Sequence, residues 1–141
     1  MTAKKLTIQT IITNSNEIWK EIIGVPKCSR CGSENYYHMR NNNMLMRTFR
    51  GPDRVFDFYG WQNEIDVTNP DTREFVWSKL KANYIDNGVD ALWFDEAEPE
   101  IHPEHFDNLI WYKGRGDMVA LLYSYYYSKM AYDGFKSMGR D

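Results

Sequence analysis

The chain has 141 residues, enough for one ordinary domain, and its 43% hydrophobic and 26% charged composition is that of a globular protein. A net charge of −3 with both signs interspersed excludes the basic footprint of a nucleic-acid binder. No apolar stretch approaches the roughly 20 residues that span a bilayer, and the Leu6–Ile12 run after Lys4-Lys5 is too short and Thr-rich for a signal peptide. A soluble, cytoplasmic protein is therefore expected, and nothing in the sequence sets an oligomeric state. The aromatic fraction, 16% with ten Tyr and five Trp, is the unusual quantity. Such rings fill cores first, but Tyr and Trp also stack on sugar rings.

In chain order, residues 6–12 alternate apolar and polar, the period of a strand. Asn14-Ser15-Asn16 caps a short helix over residues 17–23, which Gly24 and Pro26 end. Cys28 and Cys31 stand as Cys-Ser-Arg-Cys. Two thiols make no disulfide framework, and a zinc site needs two more ligands. His102 and His105 are spaced more closely than a finger pattern allows, and no βαβ pattern follows the cysteines. Reduced thiols without a function are expected.

A short helix is expected around Ser33 to Met39. Met44 to Arg50 reads as a strand that turns at Gly51-Pro52-Asp53, with Val55 to Tyr59 returning as the second arm of a hairpin. Thr68-Asn69-Pro70-Asp71 is a helix start, combining a capping side chain, a proline in the first turn and an early acid. Val76, Trp77, Leu80 and Tyr84 then share one face, while Phe75 and Ile85 fall off it, as in a helix covered on more than one side. Asn87-Gly88 stops the helix, because glycine accepts the left-handed backbone. Val89 to Asp95 follows as a buried strand, and helix, glycine turn, strand is the αβ step of an α/β protein. A second aromatic-rich helix is expected from about Leu121 to Met138, stopped by Gly139 and weakened near its end by Gly134.

Asp95-Glu96-Ala97-Glu98-Pro99-Glu100 sets a cluster of carboxylates directly after that strand. The carboxyl ends of strands are where α/β folds bind ligands and where eight-stranded barrels place catalysis. Period-two geometry puts Ala91, Trp93 and Asp95 on one side and Leu92 and Phe94 on the other. A carboxylate beside an aromatic plate suits a sugar, whose ring stacks on Trp while the carboxylate faces the anomeric carbon. A solvated acidic loop is the plainer alternative.

At this motif the chain resembles glycoside hydrolase family 31, whose nucleophilic aspartate ends the fourth barrel strand in a Trp-x-Asp-x-x-Glu-Pro pattern. Here it stands as Trp93-Phe94-Asp95-Glu96-Ala97-Glu98-Pro99. Upstream, Ser33-Glu34-Asn35-Tyr36, Arg47-Thr48 and Asp66-Val67-Thr68-Asn69-Pro70 look like further family landmarks in the same order. Downstream, Phe106-Asp107-Asn108 and Tyr132-Asp133-Gly134-Phe135 do too, and together they are similar to the α-xylosidase-like bacterial branch. The resemblance runs from about Ser33 to Gly139. Met1 to about Arg30 departs from the family's preceding strand, so residues 1–32 are taken as a divergent N-terminal segment and 33–141 as a fragment of the catalytic barrel.

The resemblance implies an α/β fold, a partial (β/α)8 TIM barrel. A complete barrel takes about 250 residues, so the chain supplies roughly three to four βα units. Asp95 matches the nucleophile, Glu98 the acidic residue that supports it, and Trp93 an aromatic bordering the sugar subsite. The implied chemistry is retaining hydrolysis of an α-linked oligosaccharide or glycoside: Asp95 attacks the anomeric carbon, and water opens the covalent glycosyl-enzyme. The acid/base aspartate of the family lies on a later segment, beyond Asp141. No metal or organic cofactor is implied. The isolated chain is expected to be poorly stable and inactive.

Two other readings compete. One is a non-catalytic carbohydrate-binding or interaction module that keeps Trp93 and its neighbouring aromatics. The other is a divalent-metal site from Asp95, Glu96, Glu98, Glu100 and His102, since hard cations take oxygen ligands. Adjacent acids on an extended segment point to opposite faces, which makes such a cage awkward. The Tyr123 to Tyr127 cluster is expected to pack rather than bind, and Arg47 and Arg50 to be solvated rather than to flank a sugar.

Overall fold

The structure is a computed structural model and describes residues 35–51, 56–57, 61–94 and 103–140. The strand and helix expected over residues 6–23, both cysteines, and the run from Asp95 to His102 lie outside the described residues.

The first described helix, α1 (Asn35–Asn41), buries Met39 and ends where Asn43 takes a left-handed backbone, φ 55°. Asparagine tolerates that conformation better than most residues. The turn lets the Met44 amide donate back to the Met39 carbonyl at 2.8 Å and sends the chain into an extended run. There Met44, Leu45 and Met46 are all buried. This run pairs antiparallel with residues 64–66: Leu45 bridges Ile65, Met46 N–H donates to the Glu64 carbonyl at 2.9 Å, and Asp66 N–H to the Met44 carbonyl at 2.8 Å.

Among the described residues, the hairpin expected between residues 44–50 and 55–59 is not found. Strand β1 (Arg47–Thr48) pairs instead with β4 (Leu109–Trp111), Arg47 opposite Ile110 and Thr48 opposite Leu109. Strand β2 (Phe56–Asp57) pairs with β3 (Trp61–Gln62). The reason is a distant competitor for the backbone. Asn108 accepts from the Phe49 amide on its carbonyl at 2.7 Å and from the Arg50 amide on its side-chain oxygen at 2.9 Å, and its Nδ2 donates to the Arg50 carbonyl at 3.1 Å. The groups that a local hairpin would have used are thereby satisfied from 58 residues away. β5 (Gly114–Arg115) completes an antiparallel sheet in the order β1-β4-β5.

Helix α2 (Pro70–Asn83) starts as expected. Asn69 adopts an extended backbone, its side-chain oxygen accepts from the Asp71 amide at 2.9 Å, and its Nδ2 reaches the Asn43 carbonyl at 3.2 Å. Thr72, Val76 and Leu80 are its buried stripe, and Phe75, Trp77 and Tyr84 pack half-buried on either side. A 3-10 turn (Ile85–Asn87) buries Ile85, and Gly88 then takes φ 94°, the left-handed stop the sequence predicts. The Val89 amide caps the turn by donating to the Tyr84 carbonyl at 3.1 Å.

A 3-10 turn (Pro103–Asn108) leads into β4. After β5, the short helix α3 (Gly116–Val119) and another 3-10 turn (Ala120–Leu122) lead into α4 (Tyr123–Ser137), which buries Tyr123, Tyr127, Met130, Ala131 and Gly134 on one stripe. The helix runs through Gly134 to Ser137 and stops at Gly139 with φ 72°. Gly134 is the point where α4 meets α2: a β-carbon there would come within 2.1 Å of the Trp77 indole. The core lies between these two helices and the small sheet. It is built from Met39, Met46, Val67, Val76, Leu109, Trp111, Tyr127 and their neighbours.

Candidate active site

The segment expected as a buried strand differs from that expectation. Val89 to Phe94 joins no sheet among the described residues. A buried strand needs neighbours to satisfy its peptide groups, and none of the described strands lies alongside it. Its side chains nevertheless sort as the two-residue period requires. Leu92 and Phe94 are half-buried and pack on the core, whereas Ala91 and Trp93 face outward, Trp93 with 69% of its surface exposed. Asp95 and Glu98, which follow in the chain, lie outside the described residues, as do Glu96, Glu100 and His102.

Phe94 is held from below by rings. It meets Tyr127 edge-on, centroids 5.0 Å apart at 81°, and Tyr127 stacks on Tyr123 at 5.9 Å and 19°. Tyr123 in turn lies 6.1 Å from Trp111 of β4. Tyr123 and Tyr127 are thus packing residues, as expected from the sequence, while Tyr125 is exposed. Burial pushes the Tyr123 phenol well above its ordinary range, reinforced by the Glu64 carboxylate to which it hydrogen-bonds.

A second buried group was not singled out by sequence reasoning. Asp66, 2% exposed, accepts from the Thr68 amide at 3.0 Å and from the Thr68 hydroxyl at 2.6 Å on one oxygen, and from the Tyr112 amide on the other. The Thr68 hydroxyl also accepts from the Lys113 amide at 3.3 Å. Burial raises the Asp66 pKa above the ordinary carboxylate value, and these hydrogen bonds offset part of that shift. The carboxylate thereby ties the start of α2 to the β4-β5 turn. Arg73 closes the same corner: it donates to the Val67 carbonyl at 2.7 Å and the Thr68 carbonyl at 3.1 Å, with its guanidinium 4.8 Å from the centre of the Tyr126 ring. The available signal was the Asp66-Val67-Thr68-Asn69 string, in which each polar residue has a nearby amide to bind.

The two arginines take different places. Arg50 makes an exposed 3.7 Å ion pair with Asp107. Arg47 is exposed and lines a pocket of about 220 Å³ with Tyr36, Arg40, Asn43, Leu45, Met46 and Asn63. Among the described residues no cluster of three His, Cys, Asp or Glu side chains could hold a metal ion, and no helix is long and apolar enough to cross a membrane.

Residues 2–141 match the glycosyl hydrolase family 31 TIM-barrel domain. The chain is 35% identical over 103 residues to an uncharacterized family 31 glucosidase of Pseudescherichia vulneris, an alignment covering 73% of this chain and 20% of that protein. It is 36% identical over 77 residues to alpha-xylosidase A of Aspergillus niger, covering 54% of this chain and 10% of that protein. In three dimensions it is similar to a family 31 alpha-xylosidase from a soil metagenome, solved with xylose, at a TM-score of 0.71 and 33% identity over 77% of this chain and 16% of that one. The chain thus spans about a fifth or less of the relatives it matches. The α/β expectation holds at the level of a (β/α)8 barrel fragment, and the chain belongs to glycosyl hydrolase family 31.

Proposed function

We propose that this chain is the nucleophile-bearing part of a retaining α-glycosidase. The observation that carries the reading is the Trp93–Pro99 motif, directly after a half-buried segment, in a chain matching the family barrel over residues 2–141. Asp95 is the nucleophile, Glu98 supports it by hydrogen bonding, and Trp93 offers its exposed ring to the sugar. The carboxylate attacks the anomeric carbon as the glycosidic oxygen leaves, and a second carboxyl group protonates that oxygen and later activates water. Retention requires the pair to stand about 5–5.5 Å apart. No residue of 33–141 is assigned the acid/base role, which falls to polypeptide completing the barrel beyond the three to four βα units supplied here. The substrate class is an α-linked glycoside, xylosides and glucosides foremost. Support comes from apolar surface that a finished barrel would cover: Met118 and Leu121 are 79% and 96% exposed.

The test uses the protein as its gene encodes it, treated with an activated 2-deoxy-2-fluoro or 5-fluoro α-glycoside. A glycosyl adduct on the Asp95 peptide, lost in Asp95→Asn, is expected. An adduct on another carboxylate would overturn the assignment. The exposure of Trp93 also fits a non-catalytic sugar-binding module. Sugar binding without turnover, unchanged in Asp95→Asn, would select that second reading.

A further inference from the structure

Helix α1 and the extended run after it enclose a small pocket that the glycosidase reading does not use. Its volume is about 220 Å³. That is below the roughly 300–1,000 Å³ of pockets for drug-sized ligands, so it has room for one small molecule. Leu45 and Met46 line it as buried members of the core and give it an apolar wall fixed by packing. The left-handed turn at Asn43 folds the run back beside α1, so that Arg40 of the helix and Arg47 of β1 line the same space. Leu45 bridges Ile65 in antiparallel register, which sets Asn63 opposite Arg47, and Asn63 lines the pocket too.

The charge of this lining is one-sided. Arg40 lies in the last turn of α1, where a cation also suits the helix dipole. Arg47 has no ion-pair partner among the described residues, unlike Arg50, which pairs with Asp107. Among the described residues no Asp or Glu lines the pocket. Two guanidinium groups on one small concavity repel each other, and their summed field attracts an anion. Each guanidinium presents a planar fork of donors that matches the two oxygens of a carboxylate. The rest of the lining suits a sugar ring. The side-chain amides of Asn43 and Asn63 can both donate to and accept from hydroxyls. The half-buried ring of Tyr36, held edge-on by Tyr37 at 5.6 Å, adds aromatic surface of the kind sugars pack on.

We propose that this pocket binds an acidic saccharide unit, a hexuronate, with Arg47 and Arg40 taking its carboxylate. The inference goes beyond the reading of Asp95 as nucleophile and does not depend on it. It gives Arg47, expected from the sequence to be solvated, a ligand of its own. An inorganic oxyanion shares the charge but lacks a ring to rest on Tyr36, Leu45 and Met46, so the sugar acid binds more tightly than the bare ion. A neutral sugar shares the ring but leaves the arginines without a counter-charge, so it binds more weakly.

Titration calorimetry on the protein as its gene encodes it tests this without turnover. The probes are methyl β-D-glucuronide, methyl β-D-glucoside and inorganic sulfate; the β configuration keeps the sugars from being substrates of an α-glycosidase. The glucuronide is expected to bind about tenfold or more tightly than the glucoside, the scale of one charge-assisted hydrogen bond. Arg47→Gln is expected to remove that advantage, and salt raised from about 0.01 M to about 0.15 M to reduce it. Arg47→Lys keeps the charge without the fork, should fall between the two, and serves if Arg47→Gln fails to fold. Trp93→Ala is expected to leave glucuronide binding unchanged, which separates this site from the proposed sugar site. Equal binding of glucuronide and glucoside would overturn the proposal, as would glucuronide binding that survives the loss of Arg47 or disappears with Trp93. Sulfate bound as tightly as the glucuronide would overturn it as well, leaving a site for a simple ion.

Discussion

The Trp77 indole and Gly134 define the crossing of α2 and α4: any β-carbon at position 134 would lie within 2.1 Å of indole Cε2 and 2.3 Å of Cδ2. Trp77 also meets Phe135 edge-on at 5.2 Å, so the ring cannot swing away without breaking that pair. A glycine inside a helix ordinarily costs about 1 kcal/mol relative to alanine. Here it allows the two helices to approach.

Gly134→Ala should therefore destabilise the fold by about 1–3 kcal/mol, the usual cost of overpacking, despite alanine's better helix propensity. Urea unfolding measures it. Trp77→Leu combined with Gly134→Ala should be less damaging than the sum of the two single changes, because removing the indole removes the clash. A stabilised Gly134→Ala variant would show that the helices separate freely.

Asp66 makes stability depend on pH. Its folded pKa is raised by burial, so the folded state holds this proton more tightly than the unfolded chain. Its contribution is fully present below the ordinary carboxylate value of 3.8 and is lost as pH rises through the raised folded value. Asp66→Asn should remove this falling limb from a plot of unfolding free energy against pH. It should also cost about 1–3 kcal/mol at neutral pH, since an amide nitrogen would face the amide of either Thr68 or Tyr112. Chemical denaturation from pH 4 to pH 8 reads both effects; an unchanged pH slope in the variant would assign the dependence to other groups.

Asn69→Ala should cost about 1–2 kcal/mol, the range for a helix N-cap. Two contacts are lost, the 2.9 Å bond from the Asp71 amide and the 3.2 Å bond to Asn43. Asn69→Asp keeps the first and should recover most of the loss, which the same unfolding measurement tests.

Trp93→Ala should leave the unfolding free energy within about 0.5 kcal/mol of the parent, as for surface substitutions in general, because the ring is largely exposed. Its effect should appear in sugar binding, followed by calorimetry with an α-xyloside or α-glucoside. A large stability loss with unaltered binding would make Trp93 a packing residue.

If the acid/base group lies on other polypeptide, as proposed, the purified 141-residue chain should hydrolyse no aryl α-glycoside above the uncatalysed rate, because the retaining cycle needs both carboxyl groups. Release of p-nitrophenol measured over hours checks this. Turnover that depends on Asp95 would mean that the second carboxyl group lies within residues 1–141.

What could be read without coordinates was whatever neighbouring residues decide among themselves. The start of α2 lies in four consecutive residues, its buried stripe in one helical period, and its stop in Gly88; each depends on backbone preferences and contacts within a few positions. The Trp93–Pro99 motif is a string of neighbouring residues, and the family resemblance read from it agrees with the barrel-domain match over residues 2–141. The inward and outward sorting of Leu92, Trp93 and Phe94 follows from the alternation of a single extended segment. Tertiary structure alone decided which backbone groups would meet. Asn108 took the hydrogen bonds that a hairpin after Arg50 would have used, Trp77 turned Gly134 from a helix defect into a crossing point, and Tyr127 came to lie under Phe94. Those outcomes depend on closing long loops against the burial of distant apolar surface, a balance that no local pattern records.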